Sequence, residues 1–155
     1  MSVEPVRKEI VVNASQERCF RVFTARMDDW WPREHHIGSS PLKRVVVDER
    51  AGGRWYAICE DGTEVDTGKV LVWEPPARVV LGWQISAKWT FDASLHTEVE
   101  VRFVAMGDKR TRVELEHRKL DAYGADAAAM KETFEKENAW LGLMRSFGAK
   151  AEAAD

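Results

Sequence analysis

Only two of the 155 residues are cysteine, Cys19 and Cys59, each embedded in an apolar pattern, and no second pair exists from which to build a thiolate metal site. Scarce thiols fit a reducing, cytoplasmic setting. No charge of one sign dominates either: 23 Lys and Arg stand against 26 Asp and Glu, a net charge of -3 with both signs mixed along the chain. That argues against nucleic acid or an anionic membrane as a partner held by bulk charge. Nowhere is there an apolar run of about 18 residues, as a membrane helix would need. The first residues, MSVEPVRKEIVV, carry charges within any window long enough for a signal-peptide core, so the chain is expected to be soluble and uncleaved. G-x-S-x-G, a Gly-rich phosphate loop and C-x-x-C are all missing, which removes the commonest nucleophile and nucleotide signatures.

What the chain has in excess is tryptophan: seven, against two tyrosines. Each brings a large apolar area and one N–H that needs an acceptor, so the set implies either a core with aromatic walls or a docking surface. The length is that of one domain, residues 1–155 with a core over about 6–150, able to bury roughly two thirds of its unfolded surface. Residues 6–13 read as a strand, and Ser15 is placed to cap a short helix through QERCFRVFTA with Cys19, Phe20, Val22 and Phe23 on one face. From Leu42 the period changes to two, punctuated by AGG, EDGT, EPPA and MGDKR, which predicts strands near 43–50, 54–60, 64–74, 78–86, 95–105 and 110–118. From about Asp126 to Lys150 helical spacing returns without proline, with an inner stripe of Met130, Phe134, Glu137, Leu141 and Met144, flanked by Thr133, Trp140 and Phe147. The Ala-rich tail after Gly148 is expected to fray.

The order of these elements is that of an α+β helix-grip fold: a curved antiparallel sheet wrapped around a long C-terminal helix, with two short helices after the first strand. DDWWP, ERAGGRW, GKVLVWEPPARVVLGW, TEVEVRF, TRVELEH and AWLGLMRSF, in that order, resemble the bacterial single-domain relatives of the activator of heat-shock protein 90 ATPase, within the SRPBCC (START-related, Bet v 1-like) superfamily. The resemblance runs from about Val11 to Phe147. It implies a cavity between sheet and helix, a tight bend at Gly52 and Gly53 before Trp55, and Trp140 with Leu143 and Phe147 as the anchor of the long helix. Ala139 stands where family members often have Gly, which favours helix there. The superfamily hosts carriers, receptors and cyclases alike, so the fold does not name an activity.

The expected occupant is an apolar or lipid-like small molecule, bound without catalysis and without a cofactor. Residues expected around it are Trp30, Trp31, Trp55, Trp83, Val99, Phe103, Val113, Leu115, His117, Met130, Phe134, Glu137 and Leu141. Of the adjacent Trp30 and Trp31, one is expected to plug the core and the other to cover the gap between short helices and sheet. A metal at Glu34, His35 and His36 is disfavoured, because neighbouring side chains on an extended loop diverge; contacts at the cavity mouth suit them better. In TRVELEH the inner row Thr111, Val113, Leu115 ends on His117, while Glu137 lies two turns from both Met130 and Met144. Either the two face each other across the cavity, where an enzyme of cyclase, hydrolase or isomerase type would use them as acid and base, or His117 is a strand-end histidine and Glu137 reaches solvent. A chaperone-associated interaction domain is a further alternative. A homodimer through an apolar sheet edge is possible on pattern alone.

Overall fold

The computed structural model describes residues 3–153. Strand β1 (Val6–Val12) leads to helix α1 (Gln16–Phe23), whose Ser15 hydroxyl accepts the Arg18 N–H at 3.2 Å as the sequence suggests. A single 3-10 turn, Met27–Asp29, and a loop precede six strands in succession: β2 (Leu42–Val47), β3 (Arg54–Cys59), β4 (Glu64–Glu74), β5 (Arg78–Trp83), β6 (Thr97–Gly107) and β7 (Arg110–Arg118). They form one antiparallel sheet in the order β1-β7-β6-β5-β4-β3-β2, in which chain neighbours pair through hairpins and β1 closes on β7. This is the curled half-barrel of a helix-grip fold. Residues 84–96, expected to be partly strand, are instead a loop held by one bridge between Ile85 and Phe91.

The C-terminal helix is not the continuous rod that its spacing predicts. Helix α2 (Ala127–Glu135) stops at Lys136, which is extended at φ -63°, ψ 148°. A π-helical turn over Glu137–Leu141 follows, with Ala139 at φ -91°, ψ -125°, and then helix α3 (Gly142–Glu152). Ala139 therefore sits in the break instead of extending a helix. An unbroken helix would drive the Glu137 carboxylate into the core without a partner, at a cost of several kcal/mol. The break turns Glu137 outward and brings Trp140 in. Gly142 makes the turn possible, because a side chain there would press on the Glu137 carbonyl oxygen at 3.0 Å. Nor does the tail fray within the described residues: α3 runs to Glu152, Ala151 is buried, and the Arg18 guanidinium binds the carbonyl oxygens of Ala151 at 2.6 Å and Ala153 at 2.7 Å. Those donors satisfy the last carbonyls, which a helix leaves unpaired.

Helices α1 and α3 pack on one half of the concave face, against β1, β6 and β7. There Phe23 meets Phe147 and Phe20 meets Phe103 edge-on, at 5.1 and 5.3 Å between ring centres. The space beneath β2 to β5 is bordered by α2, the π turn and the loop after the 3-10 turn, and it is not filled. On the convex face Glu100 is buried among Arg78, Arg102 and Arg118, with Arg118 donating to it at 2.8 Å.

Candidate functional site: a tryptophan-walled cavity

The unfilled half of the grip is a cavity of about 420 Å³. Its walls are Trp31, Trp55, Trp83, Phe134, Trp140 and Trp89, with Val45, Ala57, Val65, Ile85 and Leu143 between them. The rings touch in sequence: Trp31 to Trp55 at 6.0 Å, Trp55 to Trp83 at 5.7 Å, Trp83 to Trp140 at 5.6 Å and to Phe134 at 5.7 Å. Trp89 extends the series, meeting Phe134 at 6.5 Å.

Three of these indoles are held from behind. Trp83 donates its N–H to the Tyr123 hydroxyl at 3.0 Å, and that hydroxyl donates on to the Ile85 carbonyl at 2.6 Å. Burial raises the Tyr123 pKa, which keeps the phenol protonated as this chain requires. Trp31 donates to the His35 carbonyl at 2.7 Å, and Trp140 donates to His117 Nδ1 at 3.1 Å. With their polar edges engaged in protein, these rings present carbon to the cavity.

His117 is therefore behind the wall and not in it. An indole N–H can only donate, so Nδ1 must be the acceptor and the proton resides on Nε2. Nε2 then donates to Thr97 Oγ1 at 2.9 Å, and the Thr97 hydroxyl donates to the Trp83 carbonyl at 2.8 Å. The ring is fully buried, and burial alone pushes its pKa down to about 3. It is a neutral linker that ties Trp140 to the strand carrying Trp83.

Glu137 is on the other side of the helix, its side chain 83% exposed and 3.8 Å from Arg145. The acid–base pair of His117 and Glu137 does not exist: one member is sealed, the other is in solvent. Among the remaining expected cavity residues, Trp31, Trp55, Trp83 and Phe134 line the void. Trp30 does not; it donates to the Val22 carbonyl at 2.8 Å and packs between Phe23 and Phe147. Val99, Phe103, Val113, Leu115 and Met130 are core, because α1, α2 and α3 lie directly on that part of the sheet, and Leu141 is half-buried in the π turn.

The rim carries Glu34, His35, His36, Lys136 and Asn138, with Thr133 beside Phe134 and Thr67 on β4. Lys136, Asn138 and Ala139 reach it only because the helix is broken there. Among the described residues no group of three His, Cys, Asp or Glu side chains is arranged to hold a metal ion, and no helix is long and apolar enough to cross a membrane. Trp89, Thr67 and Trp140 are lining residues that spacing did not assign to the cavity. The seven tryptophans were the available signal for Trp89 and Trp140; Thr67 had none.

The family model of the Activator of Hsp90 ATPase homolog 1-like protein matches residues 13–141. Among solved structures, the anthrahydroquino-gamma-pyrone synthase Txn09, solved in complex, is 36% identical, with 96% of this chain and 97% of that one covered at a TM-score of 0.67. CalC, a self-sacrificing resistance protein from Micromonospora echinospora, is 31% identical, with 96% and 94% covered and a TM-score of 0.70. Protein NE0264 from Nitrosomonas europaea shares the fold at 12% identity, with 96% and 94% covered and a TM-score of 0.65. None of the curated proteins matches the chain.

Proposed function

The chain belongs to the Activator of Hsp90 ATPase homolog 1-like family, and on that premise we propose that it is a binding protein for a planar, mostly apolar aromatic small molecule held in the tryptophan-walled cavity. The observation that carries this reading is the orientation of the indoles. Trp31, Trp83 and Trp140 each have their N–H engaged by a protein acceptor, so what they offer a ligand is ring surface. A void of about 420 Å³ lies in the range of roughly 300–1,000 Å³ usual for small-molecule sites. Stacked or edge-on aromatic contacts contribute about 0.5–1.5 kcal/mol each beyond the area they bury, so several together favour a flat ring system over a flexible chain. A lipid-like occupant would use the area and forgo that increment.

The likeness to Txn09 favours a second reading, in which the cavity folds a reactive precursor and lets it cyclise. His117 and Glu137 would have no part in that chemistry; the titratable groups within reach of an occupant are Glu34, His35, His36 and Lys136 on the rim. Native mass spectrometry of the protein purified from its own cells tests the binding reading. A copurified aromatic compound supports it, and recovery of bound aliphatic lipid alone would replace the ligand class. Incubation of a bound precursor with and without the protein separates carrier from cyclase.

A further inference from the structure

Where β3 and β4 pass the cavity, β4 carries one residue more than its partner. Trp55 pairs with Gly68 and Tyr56 with Asp66, so Thr67 has no residue opposite it. A bulge of this kind bends its strand and re-aims a side chain; here Thr67 is delivered to the cavity beside Trp55. The position is fixed, not slack. Gly68 lies so close to β5 that a Cβ there would stand 1.6 Å from the Gly82 carbonyl oxygen, and the Gln84 N–H donates to the Thr67 carbonyl at 2.8 Å.

Both residues at the bulge keep a free polar group. Trp55 is only 1% exposed and lines the cavity, yet among the described residues its indole N–H meets no acceptor. Among those residues, too, no side-chain nitrogen or oxygen sealed from solvent lacks a partner. The Trp55 N–H is therefore not sealed from solvent, and Trp55 is one of the residues lining the cavity. The Thr67 hydroxyl likewise has no partner among the described residues, and the apolar side chains of Val45, Ala57, Val65 and Ile85 line the same cavity.

We propose that Trp55 Nε1–H and the Thr67 hydroxyl form an oxygen-recognition subsite, which binds a carbonyl or phenolic oxygen borne on the ring of the planar ligand. This rests on the reading of the cavity given above and adds the ligand's functional group. An indole N–H only donates and a hydroxyl can do either, so the complementary group is an acceptor with two lone pairs, as a ketone, quinone or phenolate oxygen is. A bare hydrocarbon of the same shape would cover both donors and satisfy neither, which a site built to hydrogen-bond penalises.

The test uses two probes with the same ring and different edges, anthraquinone and anthracene, titrated into wild type, Thr67→Val and Trp55→Phe while tryptophan fluorescence is recorded. Wild type is expected to prefer anthraquinone. Thr67→Val, which keeps the side chain's shape, is expected to weaken anthraquinone binding about 3–10-fold, the effect of one lost hydrogen bond, and to leave anthracene binding unchanged. Trp55→Phe is expected to narrow the preference further; should it fail to fold, Thr67→Val decides alone. Equal losses for both probes, or an unchanged anthraquinone affinity in Thr67→Val, would overturn the subsite while the cavity reading stands. If wild type binds neither probe, the cavity reading fails and the subsite with it.

Discussion

The Trp140 indole donates to His117 Nδ1 at 3.1 Å, and that bond decides what the histidine is. It fixes the neutral tautomer with the proton on Nε2, because a protonated Nδ1 would set two N–H groups against each other. The inner row of β7 thus ends on a hydrogen-bonding post for the cavity wall.

Acid should expose this arrangement. His117 holds a pKa of about 3 when folded against an ordinary 6.5, so the unfolded chain takes up a proton that the native state refuses. Its contribution is complete above about pH 6.5 and is lost as pH falls toward 3, by about 2 kcal/mol at pH 5. Denaturant unfolding from pH 7.5 to 4.5 should show the loss, and His117→Gln, which cannot titrate, should flatten that part of the profile. An identical slope in the variant would assign the acid sensitivity to other groups.

Trp140 should be among the costliest side chains to remove. It is buried, bonds His117 and packs on Trp83. Trp140→Ala is expected to lose about 3–5 kcal/mol of stability, a large share of a domain's usual 5–15. A melting temperature lower by only a degree or two would contradict the packing described.

Glu137 should be nearly silent. Exposed and paired at 3.8 Å with an exposed arginine, it is expected to change stability by no more than about 0.5 kcal/mol on mutation to Gln. Probe affinity should not move. A clear loss of either would place the carboxylate inside after all.

The order of elements, the hairpin meander and the capped first helix were legible because each is written locally, in period and turn chemistry. Trp83 is suggested by strand parity and Phe134 by helical spacing, whereas Trp31 rests on its adjacency to Trp30 before Pro32 and Trp55 on the AGGRW motif. The helix break was not legible: Glu137 on the inner stripe and Gly142 after it are both compatible with an unbroken helix as well as with the turn that forms. Strand parity turns His117 inward, where it is buried, but its partner Trp140 lies in a turn whose phase no unbroken helix predicts. The Thr67 bulge depends on the near-contact of Gly68 with Gly82, a relation between strands that no single segment encodes.

Trp89 offers a case in which stability and binding should part. It is a non-glycine residue at φ 60°, 45% exposed, on a loop whose hydrogen bonds are made by Ser86, Thr90 and backbone. Trp89→Gly relieves a left-handed conformation that costs a side-chain-bearing residue about 1 kcal/mol, so the melting temperature should hold or rise. Affinity for a planar probe should fall, since one wall of the cavity is gone. Lower stability with unchanged affinity would make Trp89 a structural residue.

A cavity walled by ring surface should take a flat aromatic molecule. Calorimetric titration of the protein with the dihydroxyanthraquinone alizarin, set beside palmitate, tests it most directly. One alizarin should bind per chain, saturably and more tightly than palmitate, with a melting temperature that rises as the ligand is added. Absence of heat and of any thermal shift with alizarin, or tighter binding of palmitate, would contradict it.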